Sequence, residues 1–94
     1  MERSIQEQFF HYHLAHPEVY RTLVALARKM RARGVHHVGI GHLWEVMRWT
    51  LWVEGGSTEG YRLNNNYRSR YARFIMEQEQ DLADFFTVRV LKAA

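Results

Sequence analysis

The stretch YRLNNNYRSRYARFIM, residues 61–76, sets how the rest of this chain folds. Read as a helix at about 100° per residue, it separates into two faces. Tyr67, Tyr71, Phe74 and Ile75 fall on one stripe, the i, i+4, i+7, i+8 spacing of a surface that faces a core. Asn66, Ser69, Arg70 and Arg73 fall on the other, with Arg68 on the flank. Any of Asn64, Asn65 and Asn66 can serve as N-cap, because the side-chain oxygen accepts from an unpaired N–H of the first turn. One face anchors; the other presents amides and guanidiniums. Arg pairs in a bidentate way with phosphate or guanine, and Asn with adenine, so this outer face has the chemistry of a DNA-reading surface. The plainer reading of the same residues is a solvated basic surface over an aromatic core.

The 94 residues suffice for one small domain. Apolar residues make up 47%, enough for a core, and five Phe, five Tyr and three Trp fill it or leave a surplus for contact. The chain has no cysteine, hence no disulfide and no thiolate chemistry, which suits a reducing cytoplasm. The net charge is only +3, but the charges are segregated. Arg21, Arg28, Lys29, Arg31 and Arg33 follow one another without an acid between them, and so do Arg62, Arg68, Arg70 and Arg73. Acids gather at Glu45, Glu54 and Glu59 and again from Glu77 to Asp84. Two basic segments on one small body can merge into a single surface that attracts a polyanion. No apolar run approaches the roughly 20 residues that span a bilayer, and the N-terminus lacks the apolar centre of a signal peptide.

From the N-terminus, residues 4–14 read as a short amphipathic helix capped by Ser4, with Glu7 as its capping-box partner. Residues 1–16 thus form an arm that either packs on the body or mediates a homodimer, and residues 17–94 form the main domain. Pro17 opens the next helix and Gly34 stops it, with Val19, Leu23, Leu26 and Met30 as the inward seam. VHHVG (residues 35–39) leans to strand; residues 40–49 form a helix with Ile40, Leu43, Trp44 and Met47 inward and Glu45 and Arg48 outside. Thr50 to Val53 is β-rich, EGGSTEG (residues 54–60) is a turn, and a hairpin across it is possible. After the Asn/Arg helix, residues 64–77, Asp81 caps a last turn and residues 87–91 close as a strand. The expected fold is mainly α with a small β component, a winged-helix or helix-turn-helix-like single domain. The long connection from Trp49 to Asn64 then inserts a hairpin between positioning and recognition helices.

HPEVYRTLVALARKMRARG (residues 16–34), GIGHLWEVMRW (39–49), LNNNYRSRYARFIM (63–76) and DLADFFTVRVL (81–91) resemble a family of small proteins encoded by bacteriophages and prophages. The resemblance runs from Phe10 to Leu91, and LNNNYRSRYAR is its most specific segment. Gln80 stands where the family pattern often has proline, which removes one helix stop. The family has no established activity, so no catalytic residue is carried over. The resemblance implies a cytoplasmic protein made in a bacterial host, of the kind that regulates transcription or replication or inhibits host defence.

Six histidines raise the question of a metal: His11, His13, His16, His36, His37 and His42. They have neither cysteine partners nor an HExxH spacing, so no metal and no cofactor is expected. Ser57, Thr58, Ser69 and Thr87 sit in no nucleophile motif, and the carboxylates show no catalytic pairing, so no enzyme is expected. Trp44 belongs to the core stripe; Trp49 and Trp52 cannot both join it.

Two functions follow. In the first, double-stranded DNA is bound by Asn65, Asn66, Ser69, Arg70 and Arg73 in the major groove, with Arg68, Arg62, Arg28, Lys29, Arg31 and Arg33 on phosphates. In the second, the chain is an inhibitor or adaptor that binds a host or phage protein complex through Phe9, Phe10, Tyr12 and Trp52.

Overall fold

Ser4 begins the first helix as its spacing predicts: its Oγ accepts from the Glu7 N–H at 3.2 Å, closing the first turn of α1 (Ile5–Ala15). In this computed structural model, which describes residues 4–55 and 65–87, four helices and one small parallel strand pair follow from that start. Pro17 occupies the first turn of α2 (Pro17–Ala32), where its missing N–H costs nothing, and Gly34 ends the helix at φ 93°, a left-handed conformation that suits glycine.

β1 (Val38–Gly39) leads into α3 (Ile40–Trp49); α4 (Arg68–Gln78) and a 3-10 turn at Gln80–Leu82 lead to β2 (Phe86–Thr87). The strands pair in parallel, Val38 opposite Phe86 and Gly39 opposite Thr87. Parallel pairing needs a crossover, and α3 and α4 supply it. The fold is therefore mainly helical with one two-stranded ribbon.

The core is where the spacing placed it. Ile40, Leu43, Trp44 and Met47 of α3 are buried, as are Tyr67, Tyr71, Ala72 and Ile75 around α4, while Phe74 is half-buried. On α2 the seam is turned by about one residue. Val19, Leu23, Val24 and Ala27 are buried, and Leu26 and Met30 are only partly so. Leu82, Phe85 and Phe86 close the end of the core. The N-terminal arm packs on the body: Phe9 is 1% exposed and sets its ring edge-on to Tyr71 at 4.7 Å.

Three expectations are corrected. Thr50 to Val53 is not a strand, because α3 runs on as a π-helical segment over Thr50–Glu54. Extending a helix adds one hydrogen bond per residue fixed, whereas starting a strand here needs a partner. Thr50 Oγ1 donates to the Val46 carbonyl at 2.8 Å and the Gly55 N–H closes on the Thr50 carbonyl at 2.9 Å. The extension keeps Leu51 in the core. At the start of α4 the N-cap position is Tyr67 and not an asparagine, while Asn64 lies outside the described residues. Asn65–Tyr67 is wound as a 3-10 turn, and α4 starts without a side-chain cap among the described residues. Asp81 does not cap a turn either; it lies inside the Gln80–Leu82 turn and faces Arg28. The hairpin loop, Arg62, Asn64 and most of the 87–91 strand fall outside the described residues.

Tyr71 carries a testable detail. Its ring is fully buried, but its hydroxyl is buried without a hydrogen-bond partner, and burial pushes its pKa up. Removing an unsatisfied buried hydroxyl relieves a desolvation penalty of about 1–3 kcal/mol without opening a cavity. Tyr71→Phe is thus expected to leave the urea midpoint unchanged or raise it, whereas Tyr71→Ala is expected to cost about 3–5 kcal/mol. A Tyr71→Phe midpoint well below that of the parent would contradict this packing.

Candidate nucleic-acid interface

α4 is held from behind by rings. Phe9 meets Tyr67, Tyr71 and Phe74 at 6.0, 4.7 and 5.9 Å, and Trp44 of α3 meets Tyr71 at 5.8 Å. Tyr20 of α2 adds an edge contact to Phe74 at 5.5 Å. With three helices against its aromatic stripe, α4 has little freedom to roll, so its other residues keep one orientation.

Asn66 and Arg68 are exposed; Ser69, Arg70 and Arg73 are half-buried. Arg70 and Arg73 are thus less open than helical spacing alone suggests. Their stems lie along the protein surface, and the Nε of Arg70 is covered without a hydrogen-bond partner. Arg68 reaches back over the first turn of α3, its Nη1 3.7 Å from where a Cβ on Gly41 would stand. The N-cap of α3 is Gly39 and offers no side chain to the helix end. Arg68 is therefore placed beside the N-terminal turn of α3, an end with a partial positive charge and N–H groups free of intrahelical partners.

No ion pair joins Arg68 or Arg70 to a carboxylate among the described residues. The other basic segment differs. Arg28 was expected on phosphate, yet its guanidinium is closed on two acids: Nη2 to Glu79 Oε1 at 2.8 Å and Nε to Asp81 Oδ2 at 2.9 Å. Hydrogen bonds to Asp81 and then Glu79 raise the Arg28 pKa further, and the bond from Arg28 holds the Asp81 carboxyl below its ordinary value. Glu79 is shared, since the Tyr20 hydroxyl donates to its Oε2 at 2.7 Å; burial first and this bond second raise the Tyr20 pKa. Arg31 stays exposed but lines a cleft of about 230 Å³ with His36, His37, Gln80, Asp81 and Asp84. Lys29 and Arg33 are exposed. Arg28 is thus taken out of the expected basic surface by Glu79 and Asp81, and Arg31 shares a cleft with Asp81 and Asp84, while Lys29 and Arg33 stay exposed.

The side chains expected at a protein contact divide. Phe9 is core and Tyr12 is half-buried, while Phe10 and Trp52 are exposed. Sequence reasoning missed the main apolar exposure. Val46, Trp49 and Val53 line the outer side of α3 and its extension beside Trp52, and Trp49 is 59% exposed. Their i, i+3, i+7 spacing was readable, but only once the helix is carried past Trp49. Leu14, 77% exposed, was also missed.

Among the described residues, no three His, Asp or Glu side chains converge as metal ligands, and no helix is long and apolar enough to cross a membrane. Comparison with protein-family models, with curated proteins and with solved structures finds no match to this chain.

The Tyr20–Glu79 bond ties α2 to the end of α4. Tyr20→Phe is expected to lower stability by about 1 kcal/mol in urea melts, the typical worth of such a bond at a partly exposed site. An unchanged midpoint would show that the bond adds nothing.

Proposed function

We propose that this chain is a small DNA-binding protein of the phage-regulator kind, not an enzyme, and that α4 is its binding helix. The observation that carries the reading is the contrast among its arginines. Arg28 and Arg48 are closed on carboxylates, whereas Arg68 and Arg70 have none among the described residues. A protein that only needs solubility has no use for cations held in place by a rigid aromatic backing. A phosphate backbone rewards that arrangement, because every neutralised phosphate releases condensed counterions. Arg68, beside the N-terminal turn of α3, suits a phosphate, since a guanidinium and a helix N-terminus both favour an anion. Asn66, Ser69, Arg70 and Arg73, with Asn65 beside them in sequence, then face the groove. Lys29, Arg31, Arg33 and Arg62 give the longer-range field, and Arg28 drops out of the contact set. On this reading α3 and α4 play the positioning and recognition helices of a helix-turn-helix-like domain, with residues 55–67 between them in place of a short turn.

A salt titration of duplex binding tests this. Binding at low salt is expected, with log affinity falling linearly in log salt. Arg68→Ala/Arg70→Ala together are expected to flatten the slope by about two units and to cost about tenfold or more at low salt. Arg28→Ala is expected to change affinity by less than about twofold, since its charge is already compensated. No duplex binding at low salt, or a slope untouched by the double substitution, would end the proposal.

A second reading has one observation in its favour. Val46, Trp49, Trp52 and Val53 leave an apolar strip in water, and Trp is over-represented where proteins bind proteins. Here the chain is an inhibitor or adaptor on a host or phage complex. A stoichiometric protein partner that survives nuclease treatment and is lost with Trp49→Asp supports it; co-purification abolished by nuclease supports DNA.

A further inference from the structure

One group in the aromatic layer is used by neither reading. His13 of α1 lies in the seam that docks this helix, stacked with Phe9 at 6.2 Å and 12°. Its ring is 5.1 Å from Phe74, 5.2 Å from Tyr20 and 6.0 Å from Tyr71. Its Nδ1 is buried without a hydrogen-bond partner. His13 is half-buried, and in such a place the neutral imidazole is favoured over the charged one, because a desolvated cation needs a paired or hydrogen-bonded acceptor.

Among the described residues, no side chain accepts a hydrogen bond from the ring's Nδ1. From α2, Tyr20 faces the ring, but its hydroxyl already donates to Glu79. Glu18 lies at the start of α2, and its Oε1 is 3.4 Å from His16 Nδ1. Glu79 itself is taken by Tyr20 and Arg28. From α4 come Phe74 and Tyr71, whose unpartnered hydroxyl offers a neutral oxygen and no compensating charge, while Arg70 and Arg73, next to Tyr71 and Phe74 in sequence, are cations that would oppose a second one. On α1 itself, Glu7 and His11 are exposed, and the Tyr12 ring meets that of His16, the residue after the helix, at 4.5 Å and 36°.

We propose that α1 is a latch released by protonation of His13, so that mild acid undocks this helix from α2 and α4 and bares the rings of Phe9, Tyr67 and Phe74. Burial lowers the pKa of His13 in the docked state below its ordinary 6.5. The docked state thus binds the proton less well than the free helix does. The stability that His13 lends to docking is complete above the free value and is lost progressively as pH falls below it. The release removes part of the aromatic backing of α4, so it bears on the nucleic-acid reading, but its test reads the docking of α1 directly and does not depend on that reading.

Hydrogen exchange resolved along the chain tests the latch, with rates corrected for the intrinsic pH effect. Between about pH 7.5 and about pH 5, protection of the amides from Phe9 to Leu14 is expected to fall by about tenfold relative to the Leu23–Ala27 segment of α2. His13→Phe keeps an aromatic ring in an aromatic setting, so it is expected to keep the neutral-pH protection and abolish the acid loss. His11→Gln, an exposed change on the same helix, is expected to retain the acid loss. Should His13→Phe fold poorly, His titration by NMR in the parent decides: the His13 midpoint must lie below the ordinary 6.5 and track the α1 amide loss. Equal protection at both pH values, acid loss that persists in His13→Phe, or a His13 midpoint at or above the ordinary value would overturn the proposal.

Discussion

The edge-to-face contact of Phe9 with Tyr71, 4.7 Å between centroids, is the joint on which the molecule turns. It ties the first helix to the fourth across most of the chain. Around it Tyr67, Phe74, Tyr20, His13 and Trp44 close a ring-on-ring layer that fixes how α4 is rolled. Aromatic pairs of this geometry add about 0.5–1.5 kcal/mol each beyond the area they bury. The more important effect is directional. A helix pinned along Tyr67, Tyr71 and Ile75 has no choice about where Arg68, Ser69, Arg70 and Arg73 stand.

Electrostatics then sorts the basic residues into two groups. At the far end of α2, Arg28 joins Glu79 and Asp81, and Tyr20 reaches the same Glu79, so charge is spent on holding α2 to the chain that follows α4. Those pairs are exposed, and their value lies in geometry more than in energy. At the start of α4 the opposite holds. Arg68 is placed over Gly41 by its own reach, with a helix end and not carboxylates for company. Segregated charge in the sequence thus becomes one arginine, Arg28, closed on acids and two, Arg68 and Arg70, without a carboxylate partner among the described residues.

Much of the helical layout is legible in the residues themselves. The Ser4 cap, Pro17 at a helix start, Gly34 at a helix end, the α3 core stripe and the α4 aromatic stripe all follow from local rules, and the structure contains each of them. The failures share a cause, which is that a neighbour outweighed a local preference. Thr50 to Val53 has β-forming side chains, but a helix already running into it and a core site for Leu51 decide otherwise. The asparagines favour a cap, yet the chain enters α4 through a 3-10 turn. The site was legible as a face but not as a charge balance. That Arg28 would find Glu79 and Asp81, more than fifty residues away, depends on tertiary packing that no window of sequence contains. That Trp49 and Trp52 cannot both join the core was legible, but the outward strip of Val46, Trp49 and Val53 was not, since it appears only when α3 is longer than its propensities suggest.

If the pinned helix displays its outer side to a polyanion, a backbone-amide NMR map of the chain with a short DNA duplex reads that display residue by residue. The account expects shifts concentrated at Asn66 to Arg73 and at the first turn of α3 around Gly41, with the Arg28–Glu79–Asp81 end little changed. Shifts gathered on the outer side of α3 around Trp49 and Trp52, or no shifts at all at low salt, would contradict it.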